Sequence, residues 1–208
     1  MEISERLGDV QAQAVYLIDL GWVLYEGGQV DAAKEAGSGA LNLSLAEGDQ
    51  YVVCGSHRLL GKIYGSMGER EKAVYHLEAA LGIASPSNWC DDLFWAHHDL
   101  AMLFSGEGKF DDAQAHLERA KTHVADDAFN LGAAMELQAS LWYQRHRFEE
   151  AKSEALRAVD VYERLGASTR LERCRNLLRR IEEKVDNPVT SYYDGEALET
   201  ALLSTTID

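Results

Sequence analysis

With 208 residues, 46% of them hydrophobic, the chain is long enough to bury a core as one domain, and it holds no run of about 18 apolar residues that would span a membrane. Its formal charge of −15 repels phosphate backbones and anionic lipid alike, which sets nucleic acid and membrane surfaces aside as partners. Cys54, Cys90 and Cys174 are odd in number and widely spaced, the pattern of reduced core thiols rather than of a disulfide framework or a zinc site. No apolar signal stretch follows Met1, so a cytoplasmic protein is expected.

The first segment, from about Asp9 to Gly27, places Val10, Ala14, Leu17, Leu20, Val23 and Leu24 at helical spacing, which predicts a buried stripe. Gly28 turns the chain, and Ala33, Ala40 and Leu41 continue on a second helix, where Gly37, Ser38 and Gly39 make a small-residue face suited to close packing. Leu20, Gly21 and Leu24, the turn, the alanines and Leu41 recur 40 residues later as Leu60, Gly61 and Tyr64, the turn at Gly68, then Ala73, Ala80 and Leu81, with one departure, Gly37 standing where Leu77 stands. A further step of 40 gives Leu100, Ala101 and Phe104, the turn at Gly108, and Phe110, Ala113, Leu117 and Ala120. A step of 38 gives Gln138, Ala139 and Trp142, His146 at the turn, and Phe148, Ala151, Ala155 and Ala158. A helical hairpin cannot bury both its faces alone, so four in series predict a stack. Between them AEGDQ, ASPSNWCDD and VADDA read as short linkers. Leu171, Cys174, Leu177, Leu178, Ile181 and Val185 then stripe an Arg-rich helix that is expected to cap the stack.

The spacing H-x2-L-G-x2-Y over His57–Tyr64, followed by Ala73, Leu77 and Ala80, resembles the tetratricopeptide repeat. The second unit matches best, the first and third moderately, and the fourth through its alanines and aromatics. A period near 40 and phrases such as KIYGSMGEREKAVYHLEAAL and HRFEEAKSEAL make the array similar to the long-helix type of MalT-like regulators and fungal STAND/NACHT-associated proteins. The resemblance implies an all-α fold, a right-handed α-solenoid of four hairpins plus a C-terminal capping helix over residues 1–186; beyond the repeat pattern, residues 187–208 read from their own composition as an acidic and apolar tail. That tail is expected to form a short docking helix at 195–203. ERLGD at residues 5–9 reads as the end of an earlier helix, so the array is expected to continue before residue 1.

In such an array the first helices line a groove, and adding the period gives its ladders. They run Ile18, Arg58, His98, Glu136; Trp22, Lys62, Met102, Ser140; Val15, Gly55, Trp95, Ala133; and Tyr25, Gly65, Ser105, Tyr143. Arg58 and Lys62 lie one turn apart, a basic spot suited to a partner's carboxylate. Trp22, Tyr25, Trp95, Met102 and Tyr143 are candidate apolar anchors, and Trp22 and Trp95 suit packing against neighbouring helices equally well. Arg58, His98 and Glu136 suggest a hydrogen-bonded row. A metal needs three or four converging ligands, whereas His97 is expected to point between helices and Asp99 to turn away from His98. With no nucleophile beside a partner base and no Gly-rich phosphate loop, no catalytic residue, metal or cofactor is expected. The Lys and Asn set with which relatives clamp a C-terminal carboxylate is missing, since its rung holds Trp22, Lys62, Met102 and Ser140. The expected function is a scaffold or adaptor that binds a protein or peptide, with a small-ligand or signalling-peptide sensor as the alternative. Self-association through the tail or the open N-terminal end is a further expectation.

Overall fold

The computed structural model describes residues 2–124 and 126–186. Among these residues the chain is all α: α1 (Glu2–Glu26), α2 (Val30–Glu47), α3 (Gln50–Ser66), α4 (Arg70–Ser87), α5 (Cys90–Gly106), α6 (Phe110–Lys121), α7 (Ala128–Gln144), α8 (Phe148–Leu165) and α9 (Ser168–Asp186), with no strand. Helices pair in sequence because the turns are tight. Gly28, Gly68 and Gly108 adopt φ of 77°, 75° and 72°, where a side chain is strained, and His146 takes the same place at φ 58°. The Asp49 carboxylate accepts from the backbone N–H of Tyr51 and Val52, and that of Asp127 from Phe129 and Asn130, capping α3 and α7. Links between hairpins are shorter than the linker composition suggests. α4 runs through Pro86 to Ser87, and Asn88, at φ 48°, ends it. Pro86 gives up one backbone N–H and crowds the carbonyl of Gly82 four residues earlier, and the helix ends one residue after it, at Ser87.

Two compact units divide at Asp126/Asp127. In the first, α1, α3 and α5 lie side by side, with α2, α4 and α6 each packed on the helix before it. Its packing is close where residues are small. Gly37 lies against Leu59 and Leu60, and a Cβ there would come within 3.1 Å of Leu60 Cδ2. One cluster gathers Ala33, Leu59 and Ile63 with Trp22, Leu24, Tyr25 and Val30, and another Cys54, Ala80, Ala84, Leu93 and Ala96. In the second unit α8 packs on α7, and α9 covers both. Cys174 and Ile181 are buried there against Met135, Ala139, Ala151, Ala155, Ala158 and Tyr162. This is the cap expected from the apolar stripe of α9.

Two expectations need correction or lie elsewhere. ERLGD does not end an earlier helix; its backbone is part of α1, which is continuous from Glu2. Glu2, Glu5, Arg6 and Leu7 are good helix formers, and Gly8 alone, at a cost of about 1 kcal/mol, does not break the run. The docking helix expected at 195–203 falls outside the described residues.

Candidate functional site

The expected groove face of the first unit is built by α1, α3 and α5, and it holds a cavity of about 270 Å³ open on one side. Tyr25 comes from α1, Gly61, Lys62, Gly65 and Ser66 from α3, Ala73 and Leu77 from α4, and Asp99, Met102 and Leu103 from α5. The cavity exists because Gly65 stands where its ladder elsewhere has Tyr25, Ser105 and Tyr143. A Cβ at Gly65 would make only ordinary contacts, 3.9 Å from Ala73 Cβ and Leu103 Cδ1, so this position is not compressed. One turn earlier the opposite holds: a Cβ on Gly61 would lie 2.6 Å from Leu77 Cγ. Tyr25, Lys62 and Met102 thus meet at one cavity.

Charge on this face is settled within the chain. Arg58 donates to Asp92 Oδ1 at 2.5 Å, with Asp91 at 3.9 Å, and its guanidinium lies 5.8 Å from the Trp22 ring centre. Lys62 Nζ lies 2.5 Å from Asp99 Oδ1 and 3.7 Å from Met102 Sδ. Burial raises the Asp99 carboxyl, but Lys62 and then His98 outweigh it and hold the group well below the usual carboxylate range. The positive spot read from Arg58 and Lys62 is therefore cancelled by carboxylates of α5. Asp99 also does not turn away from His98: the two lie 3.4 Å apart and both are buried, because α5 is enclosed on nearly every side along this stretch. Trp22 is half-buried against Leu59 and Ile63, and Trp95 donates to Asp91 while its ring meets His98 edge-on at 5.2 Å.

Glu136 belongs to the second unit. It accepts from Tyr162 and Arg170 at 3.3 and 3.1 Å and pairs with Arg173 at 3.5 Å, tying α7 to α8 and the cap. Tyr143 packs edge-on to Phe148 with Arg180 5.1 Å from its ring centre. Of the nine candidates, Glu136 and Tyr143 hold the second unit together, while Tyr25, Lys62 and Met102 line the cavity.

Two hydrogen-bonded histidine pairs escaped the sequence reading. His57 Nδ1 lies 2.9 Å from His76 Nδ1, and His97 Nδ1 lies 3.1 Å from His116 Nδ1. Tyr64 stacks on His76 and Phe104 on His116. The signal was present, since both members and the aromatic recur at a step of 40. In-chain ion pairs likewise recur at fixed steps, Arg58 to Asp92 and Glu136 to Arg170 at 34 and Lys62 to Asp99 at 37. Among the described residues no group of three or more His, Cys, Asp or Glu is placed to hold a metal, and no helix is long and apolar enough to cross a membrane. Burial pushes the Cys54 and Cys174 thiols up to about 12, leaving them unreactive.

Comparison with known proteins agrees with this geometry. A family model described as tetratricopeptide repeat matches residues 59–86, from the middle of α3 to the last turn of α4. No curated protein matches the chain. Among solved structures the chain is similar to BtubC (BKLC) from P. vanneervenii, with 19% identity and a TM-score of 0.50 over 86% of this chain and 92% of that one. At that identity the likeness is one of fold. The chain carries a tetratricopeptide repeat on an all-α helical-repeat architecture.

Proposed function

We propose that the chain is a non-catalytic interaction module, a scaffold or adaptor that binds a protein segment or peptide on the α1, α3 and α5 face. The observation that carries this reading is the open-sided cavity that Tyr25, Lys62, Gly65 and Met102 help to line. Tetratricopeptide repeats generally mediate protein–protein contact, which supports it. At about 270 Å³ and open on one side, the cavity is smaller than the roughly 300–1,000 Å³ that encloses a small ligand, so the sensor alternative gains no support. The likeness to MalT-type and fungal STAND arrays rests on period and phrase and belongs to the same proposal, as does a cytoplasmic setting with free thiols. Tyr16 and Val23, 64% and 68% exposed on α1, mark a second surface suited to self-association.

Panning a random peptide library displayed on phage against the full chain tests the interaction reading. Related sequences that compete with one another are expected. Met102→Glu, which puts a charge on the cavity wall, is expected to weaken them about tenfold or more, the scale of a modest hot spot. Recovery of nothing beyond what the bare matrix retains overturns the proposal.

A further inference from the structure

We infer that the cavity at Gly65 selects a basic segment carrying one uncharged apolar anchor residue, whose side chain enters the cavity while a neighbouring peptide carbonyl accepts from Lys62. This rests on the interaction reading above and adds the kind of segment that fits.

Size and lining set the anchor. The apolar lining is Tyr25, Ala73, Leu77, Met102 and Leu103, and Gly65 adds no side chain to it. An ionised side chain placed there would lose its water for no opposing charge. The ionised groups at the rim are Lys62 and Asp99, and they already neutralise each other at 2.5 Å. An apolar side chain gains by leaving water, and the space admits one, not a drug-sized molecule.

Polarity sets the backbone contact. An ammonium has three N–H donors. At Lys62 one goes to Asp99 and one to the Met102 sulfur, which leaves the third for an acceptor at the mouth. A carboxylate brought to that donor would stand beside the Asp99 carboxylate and be repelled, whereas a neutral carbonyl would not.

Charge sets the flanks. Residues 1–126 hold 9 Lys and Arg against 20 Asp and Glu, so this unit carries −11 of the chain's −15. The two basic groups of the face, Arg58 and Lys62, are each bound to a carboxylate of α5. The unit is thus negative as a whole while the cations of this face are neutralised, a balance that steers and holds cationic segments. This reverses the sign of partner expected from Arg58 and Lys62 taken alone.

The test uses fluorescein-labelled nonapeptides of Gly and Lys with Leu, Phe, Gly or Glu at the centre, titrated against the full chain by fluorescence anisotropy. The Leu and Phe peptides are expected to bind about tenfold tighter than the Gly peptide, and the Glu peptide no tighter than it. Raising NaCl from about 0.05 to about 0.5 M should weaken all of them. Gly65→Leu, which fills the cavity, should erase the preference for Leu over Gly at the centre. Should that variant lose its helical circular dichroism, Ser66→Trp blocks the mouth from its exposed side and must do the same. Equal binding of the Leu and Gly peptides, or a Leu preference that survives both variants, overturns the inference. If none of these peptides binds while library panning still recovers a competing family, the anchor-and-charge rule fails and the interaction reading stands.

Discussion

Gly61 and Gly65 lie one turn apart on α3 and answer the same substitution in opposite ways. A methyl at Gly61 would be pressed against Leu77, 2.6 Å from Cγ and 2.8 Å from Cδ2, and 3.3 Å from the carbonyl oxygen of Ala73. Leu77 is buried and cannot withdraw without moving α4. Overpacking of this kind costs about 1–3 kcal/mol, more than the roughly 1 kcal/mol that alanine gains over glycine in a helix. At Gly65 the methyl meets only ordinary contacts, and the helix-propensity gain is left over. Gly61→Ala is therefore expected to lower the stability read from urea unfolding, and Gly65→Ala to raise it by up to about 1 kcal/mol. Equal shifts of one sign in both variants would mean that the α3–α4 contact is not the tight one. The contrast also explains why the two glycines serve different ends, Gly61 for packing and Gly65 for the cavity.

At the scale of the helix, α9 shows what closes a repeat array. Its inner stripe buries Cys174 and Ile181, while Glu172, Arg173, Arg175, Asn176, Arg179 and Arg180 remain exposed, so its outer face is polar as a cap requires. Ile181→Ala should leave a cavity against Ala139, Ala151 and Ala155 and cost about 2–5 kcal/mol. A loss in urea unfolding below about 1 kcal/mol would show that α9 does not seal the unit. Such elements were legible because the repeat transmits its spacing. The turns at Gly28, Gly68 and Gly108 and the alanines of α2, α4, α6 and α8 follow from adding 40 or 38, and the stripe of α9 from its own helical spacing. Less legible were features that depend on what faces a residue from another helix. Arg58 and Lys62 were found as neighbours, but Asp92 and Asp99, which neutralise them, sit outside the motif and were not paired with them. Gly65 appeared on a ladder as a missing side chain, and only the approach of α4 and α5 turns that absence into a cavity.

Across the whole molecule, the histidine pairs divide the two units by their response to acid. His57–His76 and His97–His116 all lie in residues 1–126, whereas His146, the one histidine after residue 126, is exposed. Burial lowers His76 to about 4, helped by His57, and burial lowers His97 to about 4, helped by His116, Arg119 and His123. His57 is lowered by burial alone. His116 is lowered by burial and Arg119, although Asp112 and Glu78 pull it the other way. In each pair one Nδ1–H donates and the other Nδ1 accepts, an arrangement that two charged rings cannot keep. Since the ordinary value is 6.5, the unfolded chain takes up protons below that pH which folded His76 and His97 refuse until about pH 4, so stability falls as pH drops through this window. Asp99 adds nothing there, because its depressed carboxyl releases its stabilisation only below the ordinary 3.8. Hydrogen exchange, corrected for intrinsic rates and compared near pH 6.5 and pH 4.5, is therefore expected to lose protection in α3–α6 and to change far less in α7–α9. A double variant, His76→Gln with His116→Gln, keeps a hydrogen-bonding group at each place without the titration, and it should flatten the fall of melting temperature over the same range. An equal fall in the double variant, or loss of protection that begins in α7–α9, would place the acid sensitivity outside the histidine pairs.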